Sequence, residues 1–116
     1  MNQGRFSDLE YQTKKKTTRK ERFLHEMDQV LPWKQLLKPI VKHYPKPGNG
    51  RRPTSPEVML RIYFLQQWYK LSGPAMEDGL YDSQAMRGFV NVGLDEVPDE
   101  STICRFHHFL ERYELN

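Results

Sequence analysis

The chain has 116 residues, of which 37% are hydrophobic and 28% are charged; this composition suits one modest globular domain and argues against a disordered chain. Its single cysteine excludes an internal disulfide and fits a reducing compartment. We find no signal-peptide pattern and no apolar run long enough to span a bilayer, so we expect a cytoplasmic protein with no membrane partner.

Charge is distributed unevenly along the chain. Residues 1–56 hold 13 Lys and Arg against 5 Asp and Glu, whereas residues 57–116 hold 5 against 10. Such asymmetry predicts that the first half contacts a polyanion. A solvated basic arm without a partner is the alternative.

The first predicted elements are a basic arm and a helix. Residues 1–17 are predicted to be a partly irregular arm, and Thr18 with Glu21 has capping-box spacing, which predicts a helix from about Arg19 to Val30. Basic side chains concentrate in this region, and we expect them to contact the phosphates of such a polyanion. These candidate phosphate-binding residues are Lys14, Lys15, Lys16, Arg19, Lys20 and Arg22.

A second helical segment spans residues 33–44, with Val41 among the residues of its apolar face. Lys34, Lys38 and Lys42 share another face, and a row of this kind either follows phosphates or is a solvated surface. Pro39 lies inside the segment and removes one backbone donor, so we expect a kink or two short helices.

A loop and a central helix follow. Residues 44–53 are rich in Gly and Pro and end in Arg51 and Arg52, two further candidate phosphate contacts. Residues 55–71 hold the densest apolar run in the chain, which wraps most of the way around a helix. Such a helix is usually buried on most sides, and Pro56 suits its first position.

Three further helices are predicted, over about residues 74–81, 83–90 and 99–113, with Tyr81 facing inward. No segment shows the alternating pattern of a β-strand. The sequence therefore predicts an all-α fold, a compact, helix-turn-helix-like bundle of five or six helices around the buried central helix at 55–71.

The last predicted helix carries a polar row opposite its apolar stripe. Hydroxyl, guanidinium and imidazole groups recur there at helical spacing, and these groups suit base edges and phosphates in a major groove. An ordinary solvated face of an amphipathic helix is the alternative. The row consists of Ser101, Arg105, His108 and Arg112.

Two pairs of predicted helices are candidates for a helix-turn-helix. The first joins the central helix to residues 74–81, but the acidic side chains of that second helix would repel phosphates, so we reject it as a recognition helix. The second pair joins residues 83–91 to residues 99–113. The charge of its second helix is better suited to contact with phosphates, although its connector is longer than the usual turn of a helix-turn-helix.

Catalytic and metal-binding patterns are weak. The acidic pairs of the second half have no converging partners, and we interpret them as capping and solubilising charges. Cys104 and His108 are four residues apart but supply only two of the four ligands that a structural zinc ion needs. We therefore expect no metal, cofactor or small-molecule substrate, and we predict a buried or half-buried thiol at Cys104.

Several separated motifs carry a family resemblance. The stretch YPKPGNGRRPTSPEVMLRIYFLQQWYKLSGPAMEDGLYDSQAMRGFV, followed by VPDESTICRFHHFLE, resembles the N-terminal domain of bacterial transposases of the insertion-sequence-five family. The segment KTTRKERFLHEMDQVLPWKQL is similar to the opening of that domain. The resemblance extends over the chain from about Lys16 onward.

The resemblance implies that the full transposase has two domains with different roles. In that family a helical N-terminal domain precedes a ribonuclease-H-like catalytic domain of the DDE type, whose acidic triad binds two metal ions. Residues 18–116 match the helical domain, and no aspartate here matches the triad. We therefore expect no enzyme activity and no catalytic residue in this chain, and a divalent metal only in the catalytic domain.

The implied function is recognition of the terminal inverted repeats of a mobile element. The implied partners are double-stranded DNA and a second subunit in a homodimer, in the bacterial cytoplasm near the nucleoid. Two alternatives are open. The chain is a protein–protein dimerisation module, or it is a truncated regulator of transposition with only non-specific DNA affinity.

Overall fold

The computed structural model describes residues 17–46 and 54–116. Within these ranges the fold is all-α and contains no β-strand, which confirms the predicted class. Six α-helices are present there, with a 3₁₀ turn at Leu94–Glu96 before the last one. The helices are α1 (Arg19–Val30), α2 (Trp33–His43), α3 (Pro56–Tyr69), α4 (Gly73–Asp82), α5 (Gln84–Val90) and α6 (Glu100–Arg112).

Helix α1 begins at the predicted capping box. The Glu21 amide donates to the Thr18 hydroxyl at 3.2 Å, and the Thr18 amide donates to the Glu21 carboxylate at the same distance. Two of the amides that a helix start leaves without partners are thereby satisfied. The local sequence is therefore sufficient to define where α1 starts.

Helix α2 is a single helix, although Pro39 lies inside it. The expectation of two short helices is therefore wrong. Proline lacks an amide hydrogen, so the Gln35 carbonyl receives no helical hydrogen bond from position 39. The apolar contacts of α2 with α3 hold the element together across this gap.

Helix α3 lies at the centre of the bundle, as predicted, and contacts α2, α4, α5 and α6. It begins with Pro56 at its first turn and ends at Tyr69, where Lys70 takes a left-handed conformation with φ 54° and ψ 53°. Ser72 caps α4, where its hydroxyl accepts from the Ala75 amide at 3.2 Å.

The core is a continuous apolar cluster around α3. Two predicted inward positions fall outside it, because Tyr81 is 48% exposed and Val41 is 54% exposed. Both side chains face away from the core, because Leu80 and Ile40, which directly precede them in the same helical turns, are the residues that are buried. Among the described residues, the buried hydrophobic ones are Leu24, Ile40, Met59, Leu60, Ile62, Leu65, Met76, Leu80, Met86, Phe89, Val90, Ile103, Phe106 and Leu110.

Helix α1 runs antiparallel to α3. Near the end of α1, the Asp28 carboxylate lies 2.8 Å from the Arg61 guanidinium. Nearer its start, the Phe23 ring packs edge-on against the Trp68 ring, with 5.2 Å between centroids. Arg61 and Trp68 are seven residues apart and so share one side of α3.

Helix α6 packs against a different side of α3. The His107 ring lies 5.3 Å from the Tyr63 ring, and its Nε2 atom is 2.6 Å from Gln66 Oε1. The Gln66 amide nitrogen donates to the Leu71 carbonyl, so we assign the proton of this contact to His107 Nε2. At about 100° per residue, Tyr63 and Gln66 point roughly opposite to the α1 side.

Candidate nucleic-acid interface

The predicted polar row lies on the outer face of α6. All four of its side chains are exposed, whereas Ile103, Phe106 and Leu110 on the opposite side are buried in the core. This placement follows from a helix that uses one apolar stripe for packing. The row residues Ser101, Arg105, His108 and Arg112 are thus displayed together on one surface.

Each basic side chain of the row has only local contacts within the described structure. Arg105 Nη2 donates to the Thr102 hydroxyl at 3.1 Å, and the Arg112 guanidinium lies 5.4 Å from the centre of the Tyr113 ring. His108 Nε2 is 3.8 Å from the Cys104 sulfur. Exposed contacts of this kind are weak enough to be exchanged for contacts with a ligand.

The N-terminal end of α6 is acidic. Asp99 caps the helix, and its hydrogen bonds from the Thr102 amide and then from Ser101 lower its pKa from 3.8 to about 2. Glu77 of α4 accepts a 2.6 Å hydrogen bond from the Glu100 amide. Because carboxylates repel phosphates, the part of the row that suits DNA runs from Arg105 to Arg112.

The basic residues of α1 lie apart from this row. Arg19, Lys20 and Arg22 are exposed on the first turn of α1, and the Lys20 ammonium lies 5.2 Å from the centre of the Tyr69 ring. Since α1 and α6 pack against different sides of α3, the structure does not bring the two predicted sets into one compact patch. The remaining predicted contacts, Lys14, Lys15, Lys16, Arg51 and Arg52, lie outside the described residues.

The end of α2 meets the end of α6, a juxtaposition that the sequence does not indicate. The His43 ring stacks on the Tyr113 ring, with 4.1 Å between centroids and 8° between planes. Beside this pair, the Tyr44 ring packs edge-on against Phe109 at 5.6 Å. The Tyr44 hydroxyl donates to the Thr54 carbonyl, and burial raises the pKa of Tyr44.

Cys104 is exposed, so the prediction of a buried or half-buried thiol is wrong. Its neighbours one turn away on α6 are Ser101 and His108, which both face solvent, and the thiol shares their side of the helix. Within the described ranges, no group of three or more His, Cys, Asp or Glu side chains could hold a metal ion. No helix in those ranges is long and apolar enough to cross a bilayer.

A family model described as a transposase domain (DUF772) matches residues 11–108. The matched stretch contains α1 to α5 and most of α6. No solved structure matches the chain.

Proposed function

Because the chain belongs to the transposase-domain family, we propose that it is the DNA-recognition module of a transposase and binds the terminal inverted repeats of its element as duplex DNA. The observation that supports this most directly is the exposed row on α6. It presents two guanidinium groups and one imidazole on a helix whose other side is anchored in the core.

The proposed mechanism assigns base contacts to α6. Arg105, His108 and Arg112 lie within about two turns, roughly 10 Å of helix, which fits inside a major groove about 12 Å wide. A guanidinium can donate two parallel hydrogen bonds to one guanine edge. Packing of Ile103 and Leu110 fixes the helix axis, so the donors approach the bases in a defined order.

Phosphate contacts would set the position of the domain on the duplex. We assign this role on α1 to Arg19, Lys20 and Arg22, which are exposed and sit in its first turn. Such contacts carry no sequence information but supply salt-dependent affinity. We extend the same role to Lys14, Lys15, Lys16, Arg51 and Arg52 from their charge alone.

The rest of the proposal concerns the whole transposase. We assign the chain to the insertion-sequence-five group of DDE transposases, because its motifs resemble that group in the same order. In this proposal residues 18–116 bind DNA without cutting it, and the divalent metal belongs to a separate catalytic domain. The site of action would be the bacterial cytoplasm, at the nucleoid.

Subunit contact is a second proposed function. Among the residues that the structure describes, four large apolar side chains are exposed, including Val30 at 70% and Val41 at 54%. A contiguous exposed apolar patch marks a protein-interaction site, and in this proposal these side chains contribute to such a patch. A second transposase subunit is the partner that fits a family whose products act on two DNA ends.

The test is a titration of the wild-type protein with duplexes carrying the ends of its element and with a scrambled duplex, at two salt concentrations. Arg105→Ala should reduce the preference for the ends by about 1–3 kcal/mol, because it removes one base contact. Lys70→Gln is the matched control, since it removes one exposed charge outside the row. An Arg105→Ala protein that keeps the full preference would disprove the role of α6. If the wild type bound both duplexes with equal, salt-sensitive affinity, the protein would be a general polyanion binder without sequence recognition.

A further inference from the structure

Helix α2 belongs to the longest stretch of the chain that contains basic residues but no acidic ones. Residues 29–56 hold six Lys and Arg and no Asp or Glu. Three of these cations, Lys34, Lys38 and Lys42, recur every fourth residue along α2, and all three are exposed. The buried Ile40 lies on the opposite side of the helix and faces α3.

The three lysines form a regular row of charge. Side chains four residues apart in a helix lie on one face and are separated by about 6 Å along the axis. The row therefore spans about 12 Å, a length over which a duplex carries several phosphate charges. No salt bridge within the described residues neutralises these ammonium groups.

Aromatic contacts attach the end of this row to the end of α6. His43 directly follows Lys42, and its ring stacks flat on Tyr113, the C-cap residue of α6. Arg112 precedes Tyr113 and lies over the same ring at 5.4 Å. The C-terminal ends of α2 and α6, next to Lys42 and Arg112, consequently meet at one end of the bundle.

We propose that α2 is a phosphate-contacting helix, in which Lys34, Lys38 and Lys42 follow one backbone strand of the duplex that receives α6. This inference rests on the proposed function, and it assigns a set of contacts distinct from those of α1. Duplex DNA is the ligand that the charge of the row favours, because the row offers cations at repeated spacing and no hydrogen-bond acceptor. The His43–Tyr113 stack is the positioning element that fixes the angle between the two helices.

The lysine row has a role different from that of α6. Ammonium groups on flexible stems act as point charges on phosphates, whereas Arg105 is suited to two-point contact with a base edge. Loss of the lysines should therefore weaken binding to every duplex by the same factor. Loss of Arg105 should instead change the ratio between duplexes.

The test compares the wild type with the triple variant Lys34→Gln, Lys38→Gln, Lys42→Gln. Glutamine has a helix propensity close to that of lysine, and the positions are exposed, so the variant should fold. The slope of log affinity against log salt should become shallower by about 3, roughly one for each lost phosphate contact. The ratio of affinities for element ends and scrambled duplex should stay unchanged.

Three controls make the outcome decisive. The circular dichroism spectrum and the urea midpoint establish folding, and the single variant Lys70→Gln should leave the slope unchanged.

If the triple variant keeps the wild-type slope while the wild type binds duplex, the α2 row is an ordinary solvated face and the inference fails, but the proposed function stands. If polyglutamate competes with duplex as well as unlabelled duplex does, the row recognises acidic peptides, which also overturns the inference. Absence of any duplex binding by the wild type would instead refute the proposed function.

Discussion

Arg61 joins four helices through one side chain. Its Nη1 atom lies 2.8 Å from the Asp28 carboxylate of α1 and donates to the Phe89 carbonyl of α5 at 2.9 Å. The guanidinium also lies 4.2 Å from the centre of the Trp33 ring of α2. In the sequence Arg61 is only a polar interruption of the central apolar run, because its partners are 28 to 33 positions away in either direction. Its role depends on tertiary contacts that periodicity does not encode.

Asp99 is a residue whose local role the sequence does indicate. The predicted start of the last helix near Asp99 is confirmed, since the carboxylate caps α6 and accepts from the Thr102 amide at 2.8 Å. Hydrogen bonds to the charged form lower its pKa from 3.8 to about 2 in the folded protein. A lowered pKa means that the charged cap stabilises the fold above about pH 4 and that this contribution is lost as pH falls toward 2.

Asp99→Asn isolates this pH dependence. Asparagine retains an oxygen for capping but does not titrate, so the stability of the wild type relative to the variant should fall between about pH 4 and pH 2. Urea midpoints of both proteins across that range measure the difference. Glu111→Gln removes another exposed carboxylate from α6 and serves as the control. A difference that stays constant with pH would show that the Asp99 cap does not titrate as the structure indicates.

At the scale of the elements, helix ends were the most predictable feature. The capping box of Thr18 and Glu21, the position of Pro56 and the start of α6 at Asp99 all depend on residues within three positions of a helix start. Local chemistry of this kind is visible in one sequence. The effect of Pro39 on the continuity of α2 was less predictable, because the packing of α2 against α3 opposes the local tendency of proline to interrupt a helix.

Pro39→Ala should stabilise the protein by about 1–2 kcal/mol. The change restores an amide donor for the Gln35 carbonyl and removes the ring from the preceding turn, which outweighs the greater entropy of the unfolded chain. Pro39 is exposed, so the substitution leaves no cavity in the core. Urea denaturation gives the free energy of unfolding, and Gln35→Ala is the neighbouring control. A less stable Pro39→Ala protein would show that the packing of α2 requires the geometry that proline imposes.

At the scale of the whole molecule, the sequence was informative about surfaces but not about their arrangement. The exposed face of α6 follows from the spacing of Ile103, Phe106 and Leu110, all of which are buried. The stack of His43 on Tyr113 joins residues 70 positions apart, and no local pattern links them. For the same reason the position of α1 and α6 on different sides of α3 became visible only in the fold.

This arrangement predicts different responses of the two proposed partners to salt. Three cations on α1 and three on α2 provide about six phosphate contacts, so duplex affinity should fall by about 10³ between 50 and 200 mM salt. Association of two protein subunits would instead bury exposed apolar side chains such as Val30 and Val41, and apolar contacts are not weakened by salt. The mass of the protein alone should therefore be the same at 0.1 and at about 1 M NaCl, as sedimentation velocity measures it. A dimer that dissociates at the higher salt concentration would show that the subunits meet through their basic and acidic halves. The basic surfaces would then be occupied by protein rather than open to DNA.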